Sequence, residues 1–228
     1  MFRHSGRGRT FIHNLKLASI LSCVAGIVNI TGHFAYFADE LFLKNYASAL
    51  TFLLYIFYFL CGAFVSSLMM EAVALRRPQW AYVLPVSLEI LLFVVSAFIY
   101  PISSIFLAST LLFAMGLQNA LVTRVSQSVV RTTHLTGLFT DLGIELSQLL
   151  FRRERSSLKR DILLKLSIIA GFFLGCLVGG FAYSKWGILT LLIPAGMLLY
   201  TLWYDRLRFR YYHLKRKHGQ FRRHGVQT

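Results

Sequence analysis

The chain is organised around the stretch from Gly116 to Phe151, GLQNALVTRVSQSVVRTTHLTGLFTDLGIELSQLLF. It places amides, a histidine, threonines and two carboxylates inside an otherwise apolar protein, where such groups are costly without partners. Its second part has an earlier copy, because the pattern T-G-x-F-x5-E-L begins at Thr31 and again at Thr136. A G-x-x-N precedes each copy, at Gly26–Asn29 and Gly116–Asn119. The sequence therefore predicts an internal repeat.

The composition predicts a membrane protein. Hydrophobic residues make up 56% of the chain and charged residues 14%, whereas soluble domains carry about a quarter charged residues. The net charge of +15 does not favour nucleic acid as a partner, because the basic residues lie in the tails and between apolar runs. Cys23, Cys61 and Cys176 lie inside apolar runs, without the spacing of a metal site or disulfide.

The apolar runs predict an all-α, polytopic helical protein with about six transmembrane helices. The expected spans are residues 15–38, 48–75, 82–100, 102–123, 162–183 and 188–204. The first is expected to be a retained span and not a signal peptide, because no small-residue cleavage site follows it cleanly.

The distribution of basic residues predicts the orientation. With six spans, 22 of the 24 lysines and arginines lie on one side of the membrane, and only Lys44 and Lys185 lie on the other. Basic residues concentrate in cytoplasmic loops. Both termini are therefore expected to be cytoplasmic.

The repeat predicts the domain organisation. Division at Pro101 gives a membrane repeat of three spans at 15–100 and a second at 101–204, which includes a long cytoplasmic segment at 124–161. Basic cytoplasmic tails, 1–14 and 205–228, flank them. An odd number of spans per half obliges the second half to enter from the opposite side, which makes an inverted repeat. Pro85 in the third span and Pro194 in the sixth span give weaker support to this division.

Each T-G pair is predicted to break a helix, at Gly32 and at Gly137, since glycine weakens helices and threonine hydroxyls rebond freed carbonyls. After the second break, helical spacing predicts one leucine face and another face with Asp141 and Glu145. Glu40 is the equivalent acid in the first half. The segment is either an amphipathic helix at the interface or a re-entrant helix that lines a cavity.

Several polar residues have two possible roles. His134 is either a pin for the broken backbone or a titrating relay. Asn29 and Asn119 either form hydrogen bonds between helices or contact a ligand. Glu89 is either a structural partner or a protonatable coupling site. The candidate polar pathway comprises Asn29, Thr31, His33, Glu40, Glu89, Asn119, Thr133, His134, Thr136, Asp141 and Glu145.

Several segments together resemble the YoaK-like family of six-pass bacterial inner-membrane proteins. The segments are AGIVN, TGHFAYFADEL, LCGAF, QNALVTR and VVRTTHLTGLFTDLGIEL. The resemblance implies a bacterial inner-membrane location, no established activity and no catalytic residues to transfer. The chain departs from the family in one place, because Ile30 alone separates Asn29 from Thr31. Either the first span merges with the helix that follows, or the chain carries an internal deletion.

The sequence contains no nucleophile motif and no metal-ligand spacing of the kind that indicates an enzyme. Catalytic residues, a cofactor and a metal are therefore not expected. The leading hypothesis is a small permease or channel-like transporter of a small solute or ion. The alternative is a membrane scaffold or sensor that acts through its basic cytoplasmic tail. Anionic lipid headgroups are the expected partners of the basic tails. Assembly into an oligomer is compatible with the sequence, whereas nucleic acid is not an expected partner.

Overall fold

The computed structural model describes residues 11–28, 33–75, 80–99, 103–125, 135–151 and 156–204, and these residues are helical apart from short turns. The helices are α1 (Phe11–Ile27), α2 (His33–Phe42), α3 (Tyr46–Ala74), α4 (Val83–Phe98), α5 (Ser104–Val125), α6 (Leu135–Phe151) and α7 (Ser156–Trp186). A 3-10 segment, Gly187–Leu191, leads from α7 into α8 at 192–204. The all-α prediction is confirmed for the described residues.

The described residues include three helical segments that are long and apolar enough to cross a membrane, namely Tyr46–Ala74, Ser104–Arg124 and Leu158–Tyr204. Two shorter apolar helices are Leu15–Ile27 and Val83–Phe98. Large apolar side chains such as Phe57 and Phe64 are exposed along α3. Such an apolar exterior is suited to lipid and not to water. The chain is therefore a membrane protein.

Helices α1 and α7 touch backbone to backbone. A Cβ atom on Gly175 would lie 2.1 Å from the carbonyl oxygen of Cys23, and one on Gly26 would lie 2.1 Å from that of Phe172. Along α1 the contacts pair Ser19 with Gly171, Cys23 with Gly175, and Ile27 with Gly179. Because both members of each pair advance together, α1 and α7 run in the same direction. The G-x-x-x-G spacing of Gly171, Gly175 and Gly179 predicts close helix packing, and the structure confirms it at these positions. Gly180, by contrast, has no described atom of another helix within 4 Å of an added Cβ atom.

Helices α3 and α5 form a second contact of the same kind. A Cβ atom on Gly62 would lie 2.0 Å from the carbonyl oxygen of Phe113. One on Gly116 would lie 2.1 Å from that of Phe59. Further along both helices, Arg124 of α5 forms an ion pair with Glu71 of α3. This second pair therefore also runs in the same direction.

The segment from Leu158 to Tyr204 is a helical hairpin. Gly187 has φ +55°, a value that glycine adopts without the steric cost of a Cβ atom. Beyond it, Tyr200 and Tyr204 lie beside Lys16, close to the end of α1 that contacts the first half of α7. Helix α8 therefore returns antiparallel to α7, as the predicted fifth and sixth spans require.

Two details differ from the predicted elements. Helix α1 ends at Ile27, whereas the predicted first span continued to residue 38, and α2 is a separate helix. Thr136 and Gly137 lie in the first turn of α6, so this T-G pair is at the start of a helix and not in a break within it. The first turn has backbone N–H groups without intrahelical partners, so glycine costs less there than in a helix interior.

Candidate functional site

Glu89 lies near the middle of α4, and its side chain is fully buried. Val86 and Phe93, on the same helical face, are also buried. Within the described part of the chain, neither carboxylate oxygen of Glu89 has a hydrogen-bond partner. A buried, unpaired carboxylate charge is very costly, so such a site requires a proton or a cation to neutralise it.

Helix α4 contacts both halves of the chain. It packs against α3 of the first half, and against α5 and the 3-10 segment Gly187–Leu191 of the second half. Glu89 is thus carried by a helix at the junction of the two sequence repeats.

Gln118 of α5 is also fully buried, and it joins two helices. Its Nε2 donates a hydrogen bond of 2.9 Å to the backbone carbonyl of Leu21 in α1. Its Oε1 and the Oγ of buried Ser66 in α3 have no hydrogen-bond partner in the described residues. Spare buried acceptors of this kind can bind a small polar ligand or water, since unsatisfied polar groups in an apolar interior are costly.

Glu145 of α6 forms an ion pair with Lys165 of α7. The side chain of Lys165 is 7% exposed and that of Glu145 is 17% exposed. The pair joins the helix that follows the second T-G motif to a membrane-spanning segment. Among the described residues, the second carboxylate oxygen of Glu145 has no partner, so it can accept a further donor.

His33 begins α2 and packs against aromatic rings of α3. Its ring centroid lies 5.3 Å from that of Tyr55 and 6.0 Å from that of Phe52. Phe52 also stacks on Tyr36 of α2 at 5.5 Å. These contacts hold the helix after the first T-G motif against α3, as the Glu145–Lys165 pair holds the corresponding helix against α7.

A family model described as "Protein of unknown function (DUF1275)" matches residues 25–204. The chain belongs to the DUF1275 family. No curated protein and no solved structure matches it. The region matched to DUF1275 includes Glu89, Gln118, Glu145 and Lys165.

Within this DUF1275 region, the structure distributes the predicted site residues over several helices. His33 and Glu40 lie on α2, Glu89 on α4, Asn119 on α5, and Thr136, Asp141 and Glu145 on α6. Five other predicted site residues lie outside the described residues, namely Asn29, Thr31, Gly32, Thr133 and His134. The shortened segment from Asn29 to Thr31 lies outside them as well.

Asp141 and Glu145, which helical spacing places on one polar face of α6, differ in exposure. Asp141 is exposed, whereas Glu145 is largely buried, next to the side of the helix that carries Leu138 and Leu142. The reason is Lys165, because an oppositely charged partner offsets the cost of burying the carboxylate.

Sequence reasoning did not select Lys165, Gln118 or Ser66 as site residues. Lys165 had a usable signal, because it is an isolated charge inside the predicted fifth span, and such charges have partners. Gln118 stands beside Asn119, which the sequence analysis selected in its place. In the described residues no three His, Cys, Asp or Glu side chains are grouped so that they could hold a metal ion.

Proposed function

We propose that this protein is a small permease or channel-like transporter of a small solute or ion, with Glu89 as its central binding group. The observation that carries the proposal is the fully buried carboxylate of Glu89, which has no partner in the described residues. Ionisable groups inside membrane helices are costly, and they mark ion and substrate pathways. Gln118, Asn119 and Ser66 are the further polar groups that we assign to this path.

The proposed architecture is six spans in two inverted repeats, with α1, α3, α4, α5, α7 and α8 as the spans. The two parallel helix pairs support it, because each pair combines one helix from each half. The equivalent contact positions in the first and second halves are Cys23 and Phe113, Gly26 and Gly116, Phe59 and Phe172, and Gly62 and Gly175. The spacing within each helix is the same in both halves, and Gly26 and Gly116 also begin the two G-x-x-N motifs.

The third and sixth spans give independent support. Pro85 is the third residue of α4, and Pro194 is the third residue of α8. Proline is tolerated there, because the first turn of a helix has N–H groups without intrahelical partners. Both prolines are buried. Inverted repeats of this kind build transport sites at the junction of the halves.

We place the protein in the bacterial inner membrane with both termini in the cytoplasm, as a YoaK-like member of its family. The basic residues support this orientation. Fusion of green fluorescent protein to the C-terminus should give fluorescent cells. Alkaline phosphatase inserted after Lys44 should be active, because this turn would face the periplasm. The opposite pattern of activities would contradict the orientation.

The transport proposal is tested with the purified protein in liposomes on a solid-supported membrane. Concentration jumps of protons, Na⁺ and K⁺ should produce currents in the wild type and not in Glu89→Gln. The matched control is Glu71→Gln, which removes a carboxylate near the C-terminal end of α3, on the proposed cytoplasmic side, and should retain the current. Equal currents in wild type and Glu89→Gln would contradict the role of Glu89.

The absence of current from every cation would contradict transport of these ions, and a second measurement then separates the two functions. A scaffold or sensor should bind anionic vesicles through residues 205–228. Deletion of these residues should abolish vesicle binding, whereas Glu89→Gln should leave vesicle binding intact. A transporter should show the reverse pattern.

A further inference from the structure

A groove between α1 and α8 is lined by a lysine, two tyrosines and aliphatic side chains. Lys16, Leu17 and Ile20 form its α1 side, and Tyr200, Thr201 and Tyr204 form its α8 side. The groove is small, with a cavity volume of about 50 Å³, and it is partly open to the surroundings. It lies where the beginning of α1 meets the end of α8, so it is at one end of the bundle.

The polar groups of the groove are suited to an anion. Lys16 is exposed and brings an ammonium group with three donors to the rim. Tyr200 adds a phenolic hydroxyl, and its side chain is exposed beside the groove. The hydroxyl of Thr201 donates to the carbonyl of Leu198 at 2.7 Å, so Thr201 serves as part of the wall and not as a donor to a ligand.

Aromatic rings extend the groove toward the exterior. Tyr200 stacks on Tyr204 with ring centroids 6.0 Å apart, and its ring lies 6.4 Å from that of Trp203. Tyrosine and tryptophan side chains concentrate at the headgroup level of membranes, and lysine near a helix end extends to the same level. The groove therefore combines a cation, a hydroxyl and apolar rings, which suits a charged headgroup joined to acyl chains.

The equivalent positions in the other half carry no charged residue and no tyrosine. Aligning Gly26 with Gly116, and Pro85 with Pro194, relates the groove to the contact between α5 and α4. Its counterpart residues are Phe106, Leu107 and Thr110 on α5, and Leu91, Leu92 and Val95 on α4. Helix packing in this fold thus does not require a lysine or tyrosines at these positions. In an inverted repeat the counterpart faces the opposite leaflet.

The geometry points to a binding site for the phosphate headgroup of an anionic phospholipid, with Lys16 and Tyr200 as its ligands. Under the proposed orientation the groove opens at the cytoplasmic leaflet, where anionic lipids attract basic segments. The sequence on both sides is basic, with Arg7 and Arg9 before α1 and Arg206 and Arg208 after α8. The inference is independent of transport, because a scaffold would use the same site.

The test is native mass spectrometry of the full-length protein in detergent with phosphatidylglycerol or phosphatidylcholine. The wild type should retain phosphatidylglycerol preferentially. Lys16→Gln should weaken this binding roughly tenfold, as loss of a hydrogen bond to a charged group does. Lys16→Arg should retain it, and Tyr200→Phe should weaken it by a smaller factor. Lys159→Gln is the matched control, because Lys159 is exposed at the start of α7, and it should bind as the wild type.

Three outcomes would overturn the assignment. Equal binding in Lys16→Gln and wild type would exclude Lys16 as a ligand. Equal losses in Lys16→Gln and Lys159→Gln would indicate diffuse attraction and no site. Displacement of the lipid by millimolar inorganic phosphate would make free phosphate the ligand. Unchanged melting temperatures of all variants would exclude misfolding as the cause of a loss.

Discussion

Gly26 of α1 lies so close to Phe172 of α7 that a Cβ atom on the glycine would be 2.1 Å from the phenylalanine carbonyl oxygen. A backbone oxygen cannot move aside as a flexible side chain can. Gly26→Ala should therefore separate α1 from α7 and lower the free energy of unfolding by about 1–3 kcal/mol, the usual cost of overpacking. Thermal unfolding in detergent measures the loss.

Gly180→Ala provides the matched control, because no atom of another helix in the described part of the chain lies within 4 Å of its added Cβ. Alanine is the better helix former, so this variant should unfold at the same temperature or a higher one. If both variants lost the same stability, a general sensitivity of the helices would replace the contact as the explanation.

The buried ion pair between Glu145 and Lys165 should stabilise the packing of α6 against α7. Either single replacement, Glu145→Gln or Lys165→Met, leaves one partner alone and should cost about 3 kcal/mol. The double variant should recover part of this loss, because no isolated charge then remains buried. A double-mutant cycle of unfolding free energies measures the coupling, and additive losses would contradict it.

The ion pair between Arg124 and Glu71 serves as the comparison, since their side chains are 39% and 46% exposed. The same cycle with Arg124→Gln and Glu71→Gln should give a coupling below about 1 kcal/mol, as exposed pairs do. A coupling as large as that of Glu145 and Lys165 would show that burial does not decide the difference.

Glu89→Gln should separate function from stability. Because no described residue donates to or accepts from its carboxyl group, an amide of the same shape should change the free energy of unfolding by less than about 1 kcal/mol. The expected phenotype is loss of transport in a folded protein. A large drop in melting temperature would instead assign Glu89 a structural partner.

Gln118→Leu should loosen the connection between α5 and α1. The substitution removes the hydrogen bond to the Leu21 carbonyl, so it should cost about 1–2 kcal/mol. Gln148→Leu makes the same change at a half-buried position of α6 and should cost less. An equal or smaller loss at Gln118 would show that its hydrogen bond does not hold the two helices together.

The sequence predicted the helical class and the packing face of α7, because both depend on patterns that are local in the chain. The G-x-x-x-G spacing of the α7 glycines indicated that face, whereas no pattern predicted the contacts of Gly26, Gly62 and Gly116. These predictions required no knowledge of which helices meet.

Partner assignments could not be predicted in the same way. Glu145 pairs with Lys165 of another helix, and Gln118 bonds to Leu21 in a segment that is distant in sequence. Such pairings follow from the arrangement of helices in space, which periodicity does not contain. Helical spacing placed Asp141 and Glu145 on one face of α6, but it could not show that Glu145 is largely buried against Lys165.

Each parallel helix pair combines one helix from each half of the chain, and this arrangement has a consequence for synthesis of the protein. Helix α1 is translated well before α7, yet α7 provides the surface that packs against the glycine face of α1. Until α7 is translated, the Gly26 face of α1 has only lipid or an insertion factor beside it. A nascent chain that stops after α4 would lack α7, the partner of α1, and α5, the parallel partner of α3, so assembly of the bundle has to be completed after translation of the second half.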